Sequence, residues 1–393
     1  MVTDVLVAGV GMTAFVKPGT SPSYNELGSA AARAALADAS IDYRDIEQAY
    51  TGYVYGDSTS GQAALYEVGL TGIPIVNVNN NCATGSTALF LARQAIASGS
   101  ADCVLALGFE QMAPGALQEL YPDRPTPLSR FTAVADQVEG AQSAPMAIKL
   151  FGAAGLEYQQ RYGADNATFA KVTEKARRHA EHNDRAIFRT PLSVEEILAS
   201  PHMLGPLTRL QCCPPTCGGA AAILVSKRFA DKHGLSPGVA IRAQAMTTDT
   251  ATSFDGASPI KAVGYDLTRN AADQVYERSG VGPDDLDVVE LHDCFTANEI
   301  LSYEGLRLTP EGSAAKFVSD NDNSYGGKVV TNPSGGLLSK GHPLGATGLA
   351  QCAELTWQLR DRAGVRQVEG ARLALQHNLG LGGACVVTLY ERV

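Results

Sequence analysis

Hydrophobic runs long enough to cross a membrane are missing from this 393-residue chain. A span needs roughly 18 or more consecutive apolar residues; no stretch approaches that, so no membrane insertion is expected. Charge is sparse at 18% and leans acidic, with 31 Lys and Arg against 41 Asp and Glu and a formal net charge of −10. That balance excludes a general nucleic-acid binder, although a local basic patch can still hold an anion. The opening MVTDVLVAGVGMTAF lacks a basic n-region and a small-residue cleavage site, and reads as a first strand rather than a signal peptide. A disulfide framework is lacking too. The eight cysteines are scattered through apolar elements, which points to a reducing compartment. After Cys212, Cys213 and Cys217 no His or second cysteine pair follows at finger spacing, so no metal is expected there.

What is present is a large apolar content, 45% of residues, and enough chain for two or three compact domains. It also contains a repeat. The segment ALADASIDYRDIEQAYTGYV (35–54) matches VYERSGVGPDDLDVVELHDC (275–294) in pattern: helix, short turn, acidic step, strand. Asp45-Ile46 falls where Asp285-Leu286 falls. Further on, CATGSTALFLARQ (82–94) resembles LGATGLAQCAELTWQLR (344–360). Both carry Ala-Thr-Gly opening an apolar helix, and both helices precede a strand. The strands are near-continuous apolar runs, which predicts an α/β fold with sheets covered on both faces. We read a first half over 1–110 plus 207–245, an inserted region over 111–206, and a second half over 246–393.

Four places carry candidate chemistry. Cys82 ends the run VNVNNNC, where asparagines suit a tight turn and a helix cap. A helix is predicted from about Ala83 to Ser98, apolar on nearly every face, with Gly99 as its stop. A thiol at a helix N-terminus meets free N–H groups and the positive dipole end, which favour thiolate. A lone cysteine is also commonly a small core residue, and this stretch alone leaves both readings open. His342, between Gly341 and Pro343, just precedes the helix that repeats the Cys82 helix. Pseudo-twofold packing brings the two helix starts together, and a neutral imidazole there can take a proton from the thiol. In ELHDCFTANE (290–299), His292 can donate to a carbonyl oxygen and Cys294 offers a second thiol. This run ends a predicted strand, where open α/β sheets place their sites. Successive strand residues face opposite ways, which argues against a shared metal at His-Asp-Cys. Last, Gly380, Gly382 and Gly383 in HNLGLGG let backbone approach a substrate, with N–H groups able to hold an oxyanion. The stretch Lys171–Arg189 has six Lys or Arg against three acidic residues. Arg177 and Arg178 within it are candidates for phosphate contact, or part of a solvated helix face.

The motifs NNNCATGS, LQCCP, ELHDCF, NPSGGLLSKGHPLGATGLAQCAE and ALQHNLGLGG, in this order, resemble the thiolase superfamily. They are most similar to its sterol-carrier-protein-type members, called lipid-transfer proteins in bacteria. The resemblance implies a five-layered αβαβα fold from two pseudo-symmetric halves. It implies an inserted loop domain that binds coenzyme A, and a homodimer or homotetramer. It implies an acyltransferase that cleaves 3-oxoacyl-CoA with CoA as co-substrate in lipid or sterol side-chain degradation, with no other cofactor. By the match, Cys82 is the nucleophile, His342 its base, and His292 holds the thioester oxygen together with His342. Cys294 serves as acid and base, because Gly380 stands where other thiolases keep a second cysteine. The N–H groups of Cys82 and Gly382 would form a further oxyanion hole, with Gly383 near the substrate. Cys217 departs from the acidic residue usual at its position, which bears on the substrate channel. Some lipid-transfer relatives are retro-aldolases without these groups; this chain keeps Cys82, His292, Cys294 and His342. The competing readings are a ketoacyl-synthase-like condensing enzyme and a non-catalytic lipid carrier or scaffold. The ending YERV is unlike a peroxisomal signal, and a bacterial cytoplasmic location is expected.

Overall fold

The computed structural model describes residues 4–114, 121, 123–138 and 144–393. The strands of the first half are β1 (Val5–Met12), β2 (Gln48–Gly52), β3 (Ile75–Val78) and β4 (Cys103–Glu110). A small hairpin follows, β5 (His202–Leu204) and β6 (Leu207–Thr208), then β7 (Gly218–Ser226) and β8 (Val239–Thr247). The remainder are β9 (Val288–Glu290), β10 (Val330–Thr331), β11 (Leu373–Gly380) and β12 (Ala384–Arg392).

Apart from the hairpin, these strands run β10-β9-β11-β12-β8-β1-β7-β4-β2-β3. The row is two copies of one five-stranded sheet. In the first, β2 is parallel to β3 and β4, while β7 is antiparallel to β4 and β1. In the second, β9 is parallel to β10 and β11, while β12 is antiparallel to β11 and β8. The copies meet through one residue pair, Leu6 with Ala240. Strand β8 therefore stands in the second sheet where β1 stands in the first. The expected end of the first half at residue 245 is corrected by this pairing, since β8 lies along β12 from Val239 to Thr247. Both β7 and β8 read as core strands, and only the ladder tells which sheet each joins.

The acidic step of the repeat has a physical job. Asp45 accepts a hydrogen bond from the Asp42 N–H at 3.1 Å, and Asp285 accepts from the Gly282 N–H at 2.8 Å. Each carboxylate closes the single helical turn that swings the chain into the next strand. Alternation along β4 then sorts the layers. Cys103, Leu105, Leu107 and Phe109 join the outer core with the helix Tyr24–Ala39, while Val104 and Ala106 join the middle core. That middle core holds both Ala-Thr-Gly helices, Thr84–Ala97 and Thr347–Leu359, between the two sheets. The helix Tyr265–Ser279 covers the far face of the second sheet, completing five layers. Leu89, Ile96, Leu349 and Leu355 are fully buried, and burial of each contributes about 1.5–3 kcal/mol.

The inserted region includes the helices Met146–Tyr162 and Asn166–Ala180, which pack on the second half against Thr296–Gly305. Lys175 anchors it: its ammonium pairs with buried Glu299 and donates to Thr331 Oγ1 at 2.6 Å and Tyr303 OH at 3.1 Å. Removing one partner of such a pair leaves a bare buried charge.

The two central helices touch where their glycines stand. A Cβ on Gly85 would lie 2.8 Å from Gly345 O, and one on Gly348 would run into Ser86 and lie 2.6 Å from Asn378 Oδ1. Gly348→Ala is expected to destabilise the fold by about 1–3 kcal/mol through overpacking, read as a lowered midpoint in thermal and denaturant unfolding. An unchanged midpoint would mean that the helices separate without cost.

Candidate active site

The turn that carries Cys82 is built by its asparagines, though not as helix caps. Ala83 is the N-cap and has no side-chain cap bond. Asn81 takes a left-handed φ of 50°, an angle asparagine tolerates. The carbonyls of Asn80 and Asn81 accept from the N–H groups of Ala83 and Thr84, both at 3.1 Å. The Asn80 and Asn81 amides reach outward, to Thr87 Oγ1 at 3.1 Å and Leu381 O at 3.2 Å. The second contact ties the nucleophile turn to the turn between β11 and β12.

This geometry corrects the expectation of a lowered thiol pKa. Burial pushes Cys82 up to about 12; the backbone N–H of Leu381 and its own oppose this weakly, and Glu110 adds to the rise. The N–H groups of Ala83 and Thr84, two of those at the helix start, are already taken by the asparagine carbonyls. Desolvation therefore outweighs the dipole, and Cys82 rests as a neutral thiol.

The imidazole expected to act on it is uncharged as well. Burial lowers His342 to about 3, so the ring is neutral. His342 Nδ1 lies 2.7 Å from Thr347 Oγ1, whose own hydroxyl donates to Pro343 O at 3.0 Å. The threonine oxygen thus accepts from Nδ1–H, and the lone pair falls on Nε2, which is buried without a partner among the described residues. The Thr216 hydroxyl oxygen fixes the backbone by accepting the His342 N–H at 3.1 Å. Thr347 belongs to the Ala-Thr-Gly that opens the second central helix, so the motif places the helix and sets the tautomer together.

His292 stands with its ring centroid 5.1 Å from that of His342, at 81°. One ligand atom from each of Cys82, His292 and His342 lies within 4.8 Å of the others. These three are the group that could hold a metal ion among the described residues; the Cys212, Cys213 and Cys217 region forms no such cluster there. Burial, with His342 and His377 beside it, holds His292 well below its usual value. Cys294 faces the same cavity, and burial together with Cys213 and Cys82 pushes its thiol far up. Asp293 lies past the end of β9 in a tight turn, its N–H donating to Leu291 O at 3.1 Å, and its carboxylate turns the other way. It accepts from the Leu337 N–H at 2.7 Å and the Leu338 N–H at 3.3 Å, at the start of the short helix Gly336–Ser339.

Cys82, His292, Cys294 and His342 line one cavity of about 500 Å³. Its walls are mostly apolar, with Val54, Met146, Ile148, Phe151, Phe295 and Leu344 among them. Of the glycine turn, Leu381 rather than Gly382 or Gly383 lines the cavity, and the Leu381 N–H faces the sulfur. Gly382 and Gly383 both have φ of 95° and make the tight link from β11 to β12. Gly380 presses on the nucleophile turn, where a Cβ would lie 2.9 Å from Ala83 N and closer still to Asn80 O. Arg177 and Arg178 do not reach the cavity. Arg177 is buried, its guanidinium 4.1 Å from the Phe188 ring centroid, and Arg178 lines a separate surface pocket with Tyr325.

Sequence reasoning missed Glu110, Thr347, Asn378 and Leu381. Glu110 is fully buried and accepts from the N–H groups of Val54, Tyr55 and Gly345 at 2.9–3.1 Å. Burial raises it to about 7. It joins the loop after β2 to the turn after His342, and a single charge ending the apolar run CVLALGFE was the available signal. Asn378 ends the polar trio Gln376-His377-Asn378, every member fully buried in β11.

Both halves match known domain families: residues 5–195 match the thiolase N-terminal domain, and 248–390 the thiolase C-terminal domain-like family. The chain belongs to the thiolase family. It is 56% identical over 391 residues to sterol carrier protein 2 of Oryctolagus cuniculus, covering 98% of this chain and 72% of that protein. It is 35% identical to the benzoylsuccinyl-CoA thiolase subunit BbsB of Thauera aromatica, over 96% of this chain and 95% of that one. An Ltp2-ChsH2(DUF35) aldolase structure superposes with a TM-score of 0.83 at 22% identity, over 99% and 98% of the two chains. The last shows the thiolase fold alone. The family and its relatives support a thiolase-type acyltransferase class.

A neutral resting thiol predicts how this thiolase-family chain meets electrophiles. Iodoacetamide labelling of Cys82, followed by mass spectrometry, is expected to be slow at pH 7. Its rate should climb with pH without a plateau below about pH 10, since thiolate forms only as pH rises toward the raised pKa of about 12. A plateau near neutrality would show a preformed thiolate instead.

Proposed function

We propose that this chain cleaves 3-oxoacyl-CoA thioesters with free CoA, through an acyl group carried on Cys82. The observation that carries this reading is the meeting of Cys82, Cys294 and two neutral imidazoles on one apolar-walled cavity, which Cys212 and Cys213 also line, with the His342 Nε2 lone pair bare among the described residues. Substrate brings its 3-keto carbon to Cys82. The thiol proton passes to His342 Nε2 as sulfur bonds to that carbon, so charge develops only with bond formation. Backbone N–H groups of Cys82 and Leu381 face the sulfur, and they are the donors proposed for the oxyanion. The C2–C3 bond then breaks, and its electron pair becomes the enolate of a shortened acyl-CoA. His292 and protonated His342 hold the enolate oxygen, and Cys294 gives its proton to C2. The Cys294 thiolate that remains takes the thiol proton of incoming CoA. The new CoA thiolate attacks the acyl carbon, and Cys82 leaves and recovers its proton from His342.

High resting pKa values suit both thiols to this cycle, because each must hold its proton until substrate is seated and give it up once. The second thiol favours thiolysis over decarboxylating condensation, which has no use for it. A carrier without chemistry would need neither the tautomer set by Thr347 nor Cys294. The apolar walls fit a lipid-derived acyl chain, and CoA is the co-substrate.

The chain is further proposed to act as a homodimer built on β3. That strand is the edge of the ten-stranded row, and Val76, Tyr66 and Leu70 beside it are 44%, 56% and 78% exposed. An apolar, unpaired edge invites pairing with its own copy about a twofold axis.

Two expectations test these readings. Incubation with a panel of 3-oxoacyl-CoAs should add one acyl group to Cys82 by intact-protein mass spectrometry, and Cys82→Ala should abolish it. Cys294→Ala should still exchange label between acyl-CoA and CoA slowly, while cleavage falls by about 10²-fold or more. Full cleavage by Cys82→Ala would end the proposal. For the assembly, Val76→Lys should shift the light-scattering mass from dimer toward monomer; an unchanged dimer would place the interface elsewhere.

A further inference from the structure

His292 and His342 face one cavity but meet different groups on their far sides. Behind His342 is an oxygen that accepts, Thr347 Oγ1. Behind His292 is an amide, with Asn378 Nδ2 3.1 Å from His292 Nδ1. Asn378 is fully buried at the end of β11, and its Oδ1 has no hydrogen-bond partner among the described residues. That oxygen points at Gly348, in the first turn of the Thr347–Leu359 helix. The N-terminal end of a helix carries positive potential from its aligned peptide dipoles. Such a field favours the amide oxygen and repels the amide NH2, so the NH2 is the end that faces His292. A donor against Nδ1 requires the lone pair there, and a neutral ring then carries its proton on Nε2, the nitrogen left for the cavity.

From this geometry we infer that Asn378 is a positioning residue that holds His292 with its proton on Nε2, in the opposite tautomer to His342. One ring offers the site a lone pair for the Cys82 proton, and the other offers a proton to the substrate oxygen. The same hydrogen bond disfavours metal capture by Cys82, His292 and His342, because the lone pair of His292 is turned away from the cavity. Asn378 touches no reacting atom, so it acts through the ring. The kinetic part of this inference rests on the thiolase reading; the tautomer itself does not.

The tautomer is read directly in wild-type protein labelled with 15N-histidine. Long-range proton–nitrogen NMR reports which ring nitrogen carries the proton, with the His292 and His342 signals assigned by their loss in His292→Gln and His342→Gln. The expected result is protonation at Nε2 in His292 and at Nδ1 in His342. Protonation of His292 at Nδ1 would overturn the inference. The kinetic arm uses Asn378→Leu, which keeps the branching at Cγ and removes the donor. Its kcat for cleavage of a 3-oxoacyl-CoA should fall roughly ten- to a hundredfold with KM little changed. Exchange of label between acyl-CoA and CoA needs Cys82 and His342 but makes no enolate, and should stay within about threefold of wild type. Equal loss in both reactions would make Asn378 merely structural, and no loss in either would remove its role; both results overturn the inference. If Asn378→Leu does not fold, the wild-type tautomer decides. If wild type neither cleaves nor exchanges, the thiolase reading fails while the NMR result still judges the tautomer.

Discussion

Two helix starts pressed together at glycines are the constraint on which this molecule depends. Gly85 and Gly348 leave room for the Thr84 and Thr347 helices to meet at their N-terminal ends. Any Cβ there would push the helices apart and with them the two sheets they separate. The nucleophile turn leads into one helix, and the histidine turn leads into the other. A shift at this contact therefore acts directly on the Cys82–His342 distance, which proton transfer tolerates poorly.

Around that contact the structure reuses few devices. Each half closes a helix into a strand with one carboxylate, Asp45 or Asp285. Each half contributes an Ala-Thr-Gly, and the copies have diverged in task. In the first, Thr84 accepts from the Asn80 N–H at 2.8 Å and donates to the Asn81 carbonyl, holding the nucleophile turn. In the second, Thr347 orients an imidazole. Glu110 spans the site from β4 and gathers three N–H groups from two loops. The outcome is an active cavity whose reacting groups are all neutral at rest. Its electrostatics come from oriented hydrogen bonds rather than from standing charge.

Much of this was legible in the residues. Apolar strands, a repeated acidic step and a repeated Ala-Thr-Gly forecast two α/β halves with adjoining helix starts. Cys82, His292, Cys294 and His342 were each marked by a local oddity: a thiol after asparagines, a histidine between glycine and proline, a polar run at a strand end. What stayed hidden depends on distant partners. The membership of β8 is decided by a ladder to β12, more than a hundred residues away. The thiol pKa was misjudged because burial of Cys82 by the assembled fold outweighs what its own helix start offers the thiolate. Arg177 looked like a phosphate contact in a basic run, but its helix turns it inward onto Phe188. Asn378 and Leu381 gain their meaning only from what faces them across the fold.

The close approach of Gly380 to the turn that bears Cys82 also governs what can line the cavity. Thiols reach it from Cys82, from Cys212 and Cys213, and from Cys294 beyond β9, while at the β11–β12 link the way is closed by clearance. Gly380 has Asn80 and Ala83 against its α-carbon, so no side chain fits there unless the turn bearing Cys82 retreats. A side chain at position 380 is therefore a coupled change: the glycine and the asparagine turn that carries Cys82 must alter together.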